Sequence, residues 1–507
     1  MPGSMRFQGK LCRFAACLWL GSCAQDPGAS ASSDATSEAG DSTSGSGDST
    51  SGSTSGATDA TTTTDRDSTG SDTSGEPGEP SVGPFWLDPL GYAKPISVDV
   101  AVPDETSTPN KYYVDPVAGA GTSCSEATPC ASLDDVLGQP GTQGGPAYIY
   151  VKAGTTLLNW YQDTVYGAPG QEIVIKPFGD GVVSFQSTSG TNNNIDSGSA
   201  HHIVFDGGPK LELEFVTNDD SRYGLTIRSS NITLYRCRFR AGPHDGPLVD
   251  VGSFSVVSNV DFINCEFHDA NNVAGAQQNL YLGPGDGSTV TDVQIRNCIF
   301  RDLGGEAIEI NPRNYADNIL IEGNAFHNVG KRTCAASWNC RPAITIDGPS
   351  VGGESRNVTI RNNLMWDTGS GGVWDRSGTD LVKIYHNIIY DFANALSEGS
   401  GDPNPDGVSG YSNGGQGSAT NNIIYDPDGT AAFDGSSFDD NNNLCSGCDV
   451  AWTANVFASV DPASSDFLKP ATDSPSIDSG VDLGVTSDYL GIPRPAGNQV
   501  DIGAFEN

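Results

Sequence analysis

The hydrophobic positions of this chain alternate with polar ones inside a motif that recurs along the sequence. The motif has apolar residues at its first, third and eighth positions and cysteine or asparagine at its sixth. Its copies are "ITLYRCRF" (232–239), "VDFINCEF" (260–267), "VQIRNCIF" (293–300), "ILIEGNAF" (319–326), "VTIRNNLM" (358–365) and "VKIYHNII" (382–389). Alternation with a period of two predicts β-strands buried on one face. The cysteine or asparagine marks a corner at which the chain turns into its next strand.

The spacing of the motif predicts a stack of coils. Successive corner residues are separated by 28, 33, 26, 39, 24 and 35 residues; they are Cys237, Cys265, Cys298, Asn324, Asn363, Asn387 and Asn422. A motif repeated every 20–50 residues is typical of a solenoid. Equivalent residues of stacked strands lie about 4.8 Å apart. We therefore expect the asparagines to hydrogen-bond along a column and the cysteines to stack as small apolar residues.

These features resemble the right-handed parallel β-helix proteins of the pectate-lyase-like superfamily over most of residues 111–507. The segment "SLDDVL" (132–137) resembles the short helix that covers the open end of such helices, and "SPSIDSGVDLGVTSDYLGIPRPAGNQVDIGAFE" (474–506) resembles their C-terminal tail. The resemblance implies an all-β solenoid, a right-handed parallel β-helix with a short N-terminal capping helix. The superfamily includes lyases, hydrolases and non-catalytic adhesins, so the fold leaves the function open.

The N-terminus predicts export. Basic residues precede a short apolar core in residues 1–23, and "LGSC" at the end of this leader resembles a bacterial lipobox in which Cys23 is lipidated. An ordinary signal peptide cut near Cys23 is the alternative. We expect an outer-membrane or cell-surface lipoprotein, or otherwise a secreted protein. Contact with the membrane would be through the lipid anchor alone.

Composition separates a tether from the folded part of the chain. Residues 24–80 form a Ser/Thr/Gly/Asp linker with 11 acids and one base, too polar to fold. Residues 81–110 lead into the β-helix domain at 111–507, which we expect to be a monomer. The formal charge of -37 excludes nucleic acid as a partner, because nucleic-acid binders neutralise phosphates with Lys and Arg.

Closely spaced cysteine pairs predict local disulfides in an exported chain. The predicted bonds are Cys124–Cys130, Cys334–Cys340 and Cys445–Cys448.

Three short strands after the corners supply the candidate chemistry. Aligning "AIEIN" (307–311), "AITID" (343–347) and "GGVWD" (371–375) places Glu309, Thr345 and Val373 in one outer column and Asn311, Asp347 and Asp375 in a second. Glu306 lies at the turn before the first strand. Closely held carboxylates bind Ca²⁺, so the predicted metal ligands are Glu306, Glu309, Asp347 and Asp375. The alternative is that these polar residues only satisfy turns.

A long insertion beside this column predicts the substrate contacts. The stretch "NVGKRTCAASWNCRP" (328–342) supplies Lys331, Arg332, Trp338 and Arg341, and Arg313 of "NPRN" points to the same region. Trp338 could stack on a sugar face and Arg332 could hold a carboxylate. Equally, the tryptophan could merely cover an edge of the helix.

The resemblance implies a calcium-dependent polysaccharide lyase acting on an acidic polysaccharide. Ca²⁺ would neutralise the uronate carboxylate, and Arg313, Lys331 or Arg341 would take the adjacent proton before β-elimination. Two carboxylates on nearby coils would also suit a glycoside hydrolase. A non-catalytic glycan-binding or structural surface protein is the third reading, and it predicts a carboxylate column without perturbed pKa values.

Overall fold

The structure is a computed structural model. It describes residues 100–507 except 162–163, 188–191, 197–199, 218–222, 241–247, 271–277, 331–340, 349–352, 378–380, 393–407, 411–416 and 428–437, together with short backbone pieces at Phe85–Leu87 and Ala93–Pro95. The leader, Cys23, the linker and the predicted residues of the 331–340 insertion lie outside this part. These predictions remain untested.

The described chain winds in coils, and its strands form three faces in which neighbouring strands run parallel. Face 1 is a nine-stranded sheet of short strands. Its members are β5 (Asn159–Tyr161), β7 (Asn193–Asp196), β10 (Leu225–Ile227), β13 (Val249–Val251), β16 (Leu280–Leu282), β19 (Ile308–Ile310), β22 (Ile344–Ile346), β25 (Val373–Asp375) and β28 (Val408–Gly410).

Faces 2 and 3 belong to a second, 22-stranded sheet. Face 2 contains β8 (Ile203–Asp206), β11 (Ile232–Tyr235), β14 (Val256–Ile263), β17 (Thr289–Arg296), β20 (Tyr315–Glu322), β23 (Glu354–Arg361), β26 (Val382–Tyr385), β29 (Gly417–Thr420) and β31 (Phe438–Asn441). Face 3 contains β9 (Leu213–Val216), β12 (Cys237–Arg240), β15 (Glu266–Ala270), β18 (Ile299–Leu303), β21 (Ala325–Val329), β24 (Leu364–Thr368), β27 (Ile388–Phe392), β30 (Ile423–Tyr425), β32 (Leu444–Cys445) and β33 (Val450–Ala451).

Three N-terminal strands start the same sheet: β3 (Lys111–Val114), β4 (Ala147–Thr156) and β6 (Ile173–Gln186), which pairs with both β8 and β9. The antiparallel pair β1 (Phe85–Leu87) and β2 (Ala93–Pro95) forms a separate two-stranded sheet. The predicted capping helix is only a 3-10 turn, Asp134–Val136, whose Val136 joins the main core. No helix among the described residues is long and apolar enough to cross a membrane.

The corner between faces 2 and 3 confirms the predicted column. In each coil a residue with positive φ, such as Asn362 or His386, precedes the buried corner residue. The Oδ1 of Asn363 accepts the backbone N–H and the Nδ2–H of Asn324 at 2.9 and 3.0 Å, and Asn363 donates in the same way to Asn387. The ladder continues through Asn422 and Asn443. Side-chain amides thus satisfy backbone donors that the turn would otherwise leave buried and unpaired.

Stacked apolar side chains fill the interior. Rings at the eighth motif position lie 4.6–5.2 Å apart along one column, formed by Phe215, Phe239, Phe267, Phe300 and Phe326. The corner cysteines Cys237, Cys265 and Cys298 are buried and are not joined in disulfides. A second apolar cluster on the outside of face 3 packs Leu364, Trp366 and Ile388 against Phe467 and Phe505 of the C-terminal segment. This segment therefore covers the apolar strip of face 3.

Two of the predicted disulfides are confirmed, Cys124–Cys130 and Cys445–Cys448. Cys334 and Cys340 lie outside the described residues.

Candidate functional site

The outer side of face 1 holds the predicted carboxylates. Ile308 and Ile310 of β19 point into the core, so Glu309 between them projects outward. Its strand pairs Glu309 with Tyr281 of β16 on one side and with Thr345 of β22 on the other. The predicted stacking of Glu309 and Thr345 in one outward column is therefore confirmed. Although Glu309 lies on the outer side, it is only 4 % exposed.

Four polar side chains form a buried group at this position, which we call the carboxyl cluster: Glu306, Glu309, Asn311 and Asp347. The Nη1 of Arg341 lies 3.3 Å from Glu306 Oε1, and Arg376 forms an ion pair with Asp347. The Nδ2–H of Asn311 donates to Glu309 Oε1 at 2.8 Å. Of these residues, Arg376 was not expected from the sequence.

Burial shapes the protonation of the cluster. It raises the pKa of Glu309 well above the usual range, and the charges of Glu306 and Asp347 raise it further. Burial also raises the pKa of Glu306 and of Asp347, but Arg341 opposes the shift at the first and Arg376 opposes it at the second. Glu309 is thus the member that keeps a proton, while Asp347 is the ionised member beside Arg376.

The predicted register of the strand at 371–375 is wrong by one residue. Val373 pairs with Ile344 and points inward, while Trp374 pairs with Thr345 and takes the outward position. Asp375 pairs with Ile346, so it does not stack on Asp347 as predicted. It accepts the backbone N–H of Ser377 at 2.8 Å, and burial raises its pKa to about 6. Asp375 therefore does not join the carboxyl cluster.

Arginine side chains surround the cluster. Arg313 is exposed, and its positive charge lowers the pKa values of both Asp347 and Tyr281 against the opposing effect of burial. The guanidinium carbon of Arg376 lies 4.1 Å from the ring centroid of Trp374, a cation–π contact. The Nε atoms of Arg341 and Arg376 are buried and have no hydrogen-bond partner among the described residues. The accessible part of each side chain, about one-fifth of it, is what a ligand can reach.

Two further residues of the outward column were missed. Tyr281 lies beside Glu309, and burial raises the pKa of its phenol. Asp250 pairs with Tyr281 on the next strand; it is fully buried, and burial raises its pKa to about 7. Both stand between two apolar residues, in "VDVG" and "LYLG", as Glu309 does in "IEIN". That shared pattern could have revealed them.

The arrangement does not fit calcium as it stands. Guanidinium groups already face the carboxylates of Glu306 and Asp347, and Glu309 is hydrogen-bonded within the cluster. In the described part of the chain no three His, Cys, Asp or Glu side chains converge as a metal site would require. Calcium on Glu306, Glu309, Asp347 and Asp375 stays a prediction, and we derive no step through it.

The comparisons with known proteins address the fold. Residues 180–351 match the family model described as "Right handed beta helix region". No curated protein matches this chain. The crystal structure of pectate lyase Pel9A is 15% identical, has a TM-score of 0.52, and the match covers 79% of this chain and 97% of Pel9A. The GH136 lacto-N-biosidase from Eubacterium ramulus is 12% identical with a TM-score of 0.35, covering 66% of this chain and 67% of its own.

These likenesses establish architecture alone. Identities this low do not transfer a substrate or a mechanism, because one fold supports many functions. The family match and the Pel9A match agree with the parallel strand pairing of faces 1 to 3. The chain is a right-handed parallel β-helix protein.

Proposed function

We propose that face 1 binds an acidic polysaccharide around the carboxyl cluster and cleaves it by β-elimination. One observation carries the proposal: Arg313, Arg341 and Arg376 gather at this cluster in a chain with a formal charge of -37. A protein this acidic repels polyanions except where positive charge is concentrated. Face 1 offers such a concentration.

The buried acids act as supports for the arginines. Glu306 holds Arg341 and Asp347 holds Arg376, while the arginine side chains stay about one-fifth exposed, at 23% and 22%. A guanidinium fixed by a buried carboxylate loses little further freedom when it binds a ligand. Its remaining donors match the two oxygens of a uronate carboxylate. Trp374 beneath Arg376 fixes that guanidinium from its other side.

Elimination needs one protein group that accepts a proton from the sugar and a second that donates a proton to it. The C–H bond next to the uronate carboxylate breaks, its electrons form the new double bond, and the glycosidic C–O bond breaks. Arg313 or Lys331, in its deprotonated form, takes the carbon-bound proton, whereas Arg341, the third predicted base, is held as a cation by Glu306 and serves in binding. Tyr281, whose raised pKa keeps its phenol protonated at neutral pH, donates a proton to the leaving oxygen.

The perturbed acids favour an enzyme over a passive surface protein. The non-catalytic alternative predicts a column without shifted pKa values, whereas those of Asp250, Glu306, Glu309 and Asp347 are all raised. Shifts of this kind concentrate at functional sites. The solved neighbours also include proteins named pectate lyase and rhamnogalacturonan lyase, which is consistent with a polysaccharide partner. Export on a lipidated Cys23 would place the site outside the cell.

The proposal is tested by incubating the purified protein with uronate polymers, with and without Ca²⁺. We expect the ultraviolet absorbance of an unsaturated uronate product to appear. Tyr281→Phe should reduce the rate about 10²-fold or more, and Tyr385→Phe, a matched change on face 2, should not. Arg376→Lys should weaken substrate binding, whereas Arg361→Lys, in the Arg361–Glu322 pair of face 2, should leave it unchanged.

Other outcomes discriminate among the remaining functions. Release of reducing sugar without the unsaturated product would show that the protein is a hydrolase and not a lyase. Binding that depends on Arg376, without any cleavage, would show that the protein is a glycan-binding surface protein and not an enzyme. Absence of both binding and cleavage would contradict the proposal altogether.

A further inference from the structure

A pair of adjacent histidines lies where the chain enters face 2. The Nδ1 atoms of His201 and His202 are 2.8 Å apart, and both side chains are half-buried. From this geometry we propose that His201 and His202 together bind a divalent transition-metal ion. The site is separate in sequence and strand from the carboxyl cluster and does not depend on the proposed function.

The backbone holds both rings in place. His201 bridges to Tyr166, with the His201 carbonyl accepting the N–H of Gly167 at 3.0 Å, and its ring stacks on Tyr166 with centroids 5.2 Å apart. His202 has a φ of 56°, as do the residues at the same corner in the next coils, Asn231 (59°) and Asn259 (55°). This corner requires the left-handed conformation, which Asn tolerates well. The two rings are therefore positioned by the fold before any ligand arrives.

The separation of the two nitrogens suits a shared metal. Metal–nitrogen bonds are about 2.0–2.1 Å long, so two ligands at the right angle of a square-planar Cu²⁺ or Ni²⁺ site stand about 2.9 Å apart, and at the tetrahedral angle of Zn²⁺ about 3.3 Å apart. In a metal-free protein one Nδ1 must carry a hydrogen and donate it to the other. When a metal ion binds, that ring takes its other tautomer, with the hydrogen on Nε2, and both Nδ1 lone pairs bind the metal.

Space and a further oxygen atom lie next to the pair. His202 lines a cavity of about 580 Å³ together with Glu172, Asn231, Asn259 and Asp261. Glu172 Oε2 is buried and has no hydrogen-bond partner among the described residues. Since no three His, Cys, Asp or Glu side chains converge in the described part of the chain, the two imidazoles supply the protein ligands. Water or an oxygen ligand in the cavity fills the remaining positions.

The ligand chemistry selects the metal class. Imidazole nitrogen suits Zn²⁺, Cu²⁺ and Ni²⁺, whereas Ca²⁺ takes oxygen ligands. The site is thus chemically distinct from any calcium site at the carboxyl cluster. Zinc binding that persists in excess calcium distinguishes the histidine site from a calcium site at the carboxyl cluster.

The test is a titration of the full chain, freed of metal by a chelator, with Zn²⁺ by calorimetry and with Cu²⁺ by electron paramagnetic resonance. We expect one strong site per chain, with nitrogen hyperfine structure from two imidazoles. His201→Gln and His202→Asn should each weaken binding by about tenfold or more, since loss of outer partners alone costs that much. His327→Gln, a histidine of face 3 stacked on Trp366, serves as the matched control and should leave binding unchanged.

His202→Asn keeps the fold testable, because asparagine occupies this corner in the following coils. Unaltered thermal unfolding of that variant would show that the loss of metal is local. Absence of a strong site in the wild-type chain, or equal affinity in the wild type and both variants, would overturn the proposal. The pair would then be a simple N–H···N hydrogen bond.

Discussion

The protonated state assigned to Glu309 makes its substitution by glutamine a direct test of the carboxyl cluster. Glutamine has nearly the same shape as protonated glutamate. Its carbonyl can accept from Asn311, as Glu309 Oε1 does at 2.8 Å. With this hydrogen bond conserved and no charge added, Glu309→Gln should change the free energy of unfolding by about 1 kcal/mol or less in mildly acidic solution.

The pH dependence provides the sharper expectation. The folded-state pKa of Glu309 is raised well above its ordinary value of 4.5. The folded chain then holds a proton that the unfolded chain releases, so the contribution of Glu309 to stability is complete below the unfolded pKa and is lost as pH rises. The loss approaches about 1.4 kcal/mol per pH unit until the folded pKa is reached. Glu309→Gln has no such loss, so it should become more stable than the wild type as pH increases.

Urea unfolding of both proteins between about pH 5 and pH 8 measures this difference. The other buried acids are present in both proteins, so the difference between the two pH profiles isolates Glu309. Glu354→Gln is the control, because Glu354 is exposed and Arg356 lowers its pKa. Parallel profiles for Glu309→Gln and the wild type would refute the protonated buried carboxyl and the cluster built on it.

Substitutions at three further residues test other parts of the structure. Asp347→Asn removes the counter-charge of Arg376 and should cost about 2 kcal/mol in chemical denaturation, with Asp317→Asn on face 2 as a milder comparison. Asn363→Ala leaves a buried N–H of Asn324 unpaired and should cost about 3 kcal/mol. Asn363→Cys should cost less than Asn363→Ala, because sulfur still accepts at this corner; equal losses would contradict the ladder argument. Asp250→Asn should stabilise the chain near pH 8 relative to pH 5, a gain absent if Asp250 titrates normally.

The repeat made the scaffold predictable, and the reason is visible at the corner. A cysteine or asparagine is needed there because the turn leaves a backbone N–H of the preceding coil without a strand partner. In the structure Asn324 Oδ1 accepts the N–H of Cys298 at 2.8 Å, and Cys298 Sγ lies 3.4 Å from the N–H of Cys265. A local requirement repeated in every coil produces a pattern that sequence alone reveals.

The register at 371–375 was not predictable in the same way. "GGVWD" begins with two glycines, so it lacks the apolar–polar–apolar alternation that fixes the facing of "AIEIN". Gly371 adopts a φ of 139°. The carbonyls of Gly371 and Gly372 accept the backbone N–H groups of Ala343 and Ile344. A shift of one residue reverses the direction of every side chain in a strand. Matching the terminal aspartates therefore placed Val373 outward and Asp375 in the wrong column.

Arg376 and Tyr281 were missed for a different reason. Both reach the carboxyl cluster from coils other than that of Glu309, and the intervening connections differ in length from coil to coil. Their proximity depends on which residues stack, a property of the whole solenoid and not of any local segment. Only the paired strands make that stacking explicit.

The contrast between the two polar columns argues that the acids of face 1 serve more than folding. At the corner, the chain fills a buried column with neutral amides, Asn363 and Asn387 among them, and every donor finds an acceptor without any cost of burying charge. The outward column of face 1 has the same spacing, and amides could occupy it equally well. Glu309 and Asp250 stand there instead, each with a pKa raised by burial, which is a free-energy cost that the fold does not require. A cost that a neutral substitute would avoid is most simply retained for chemistry, and this is the argument for the functional surface that we propose on face 1.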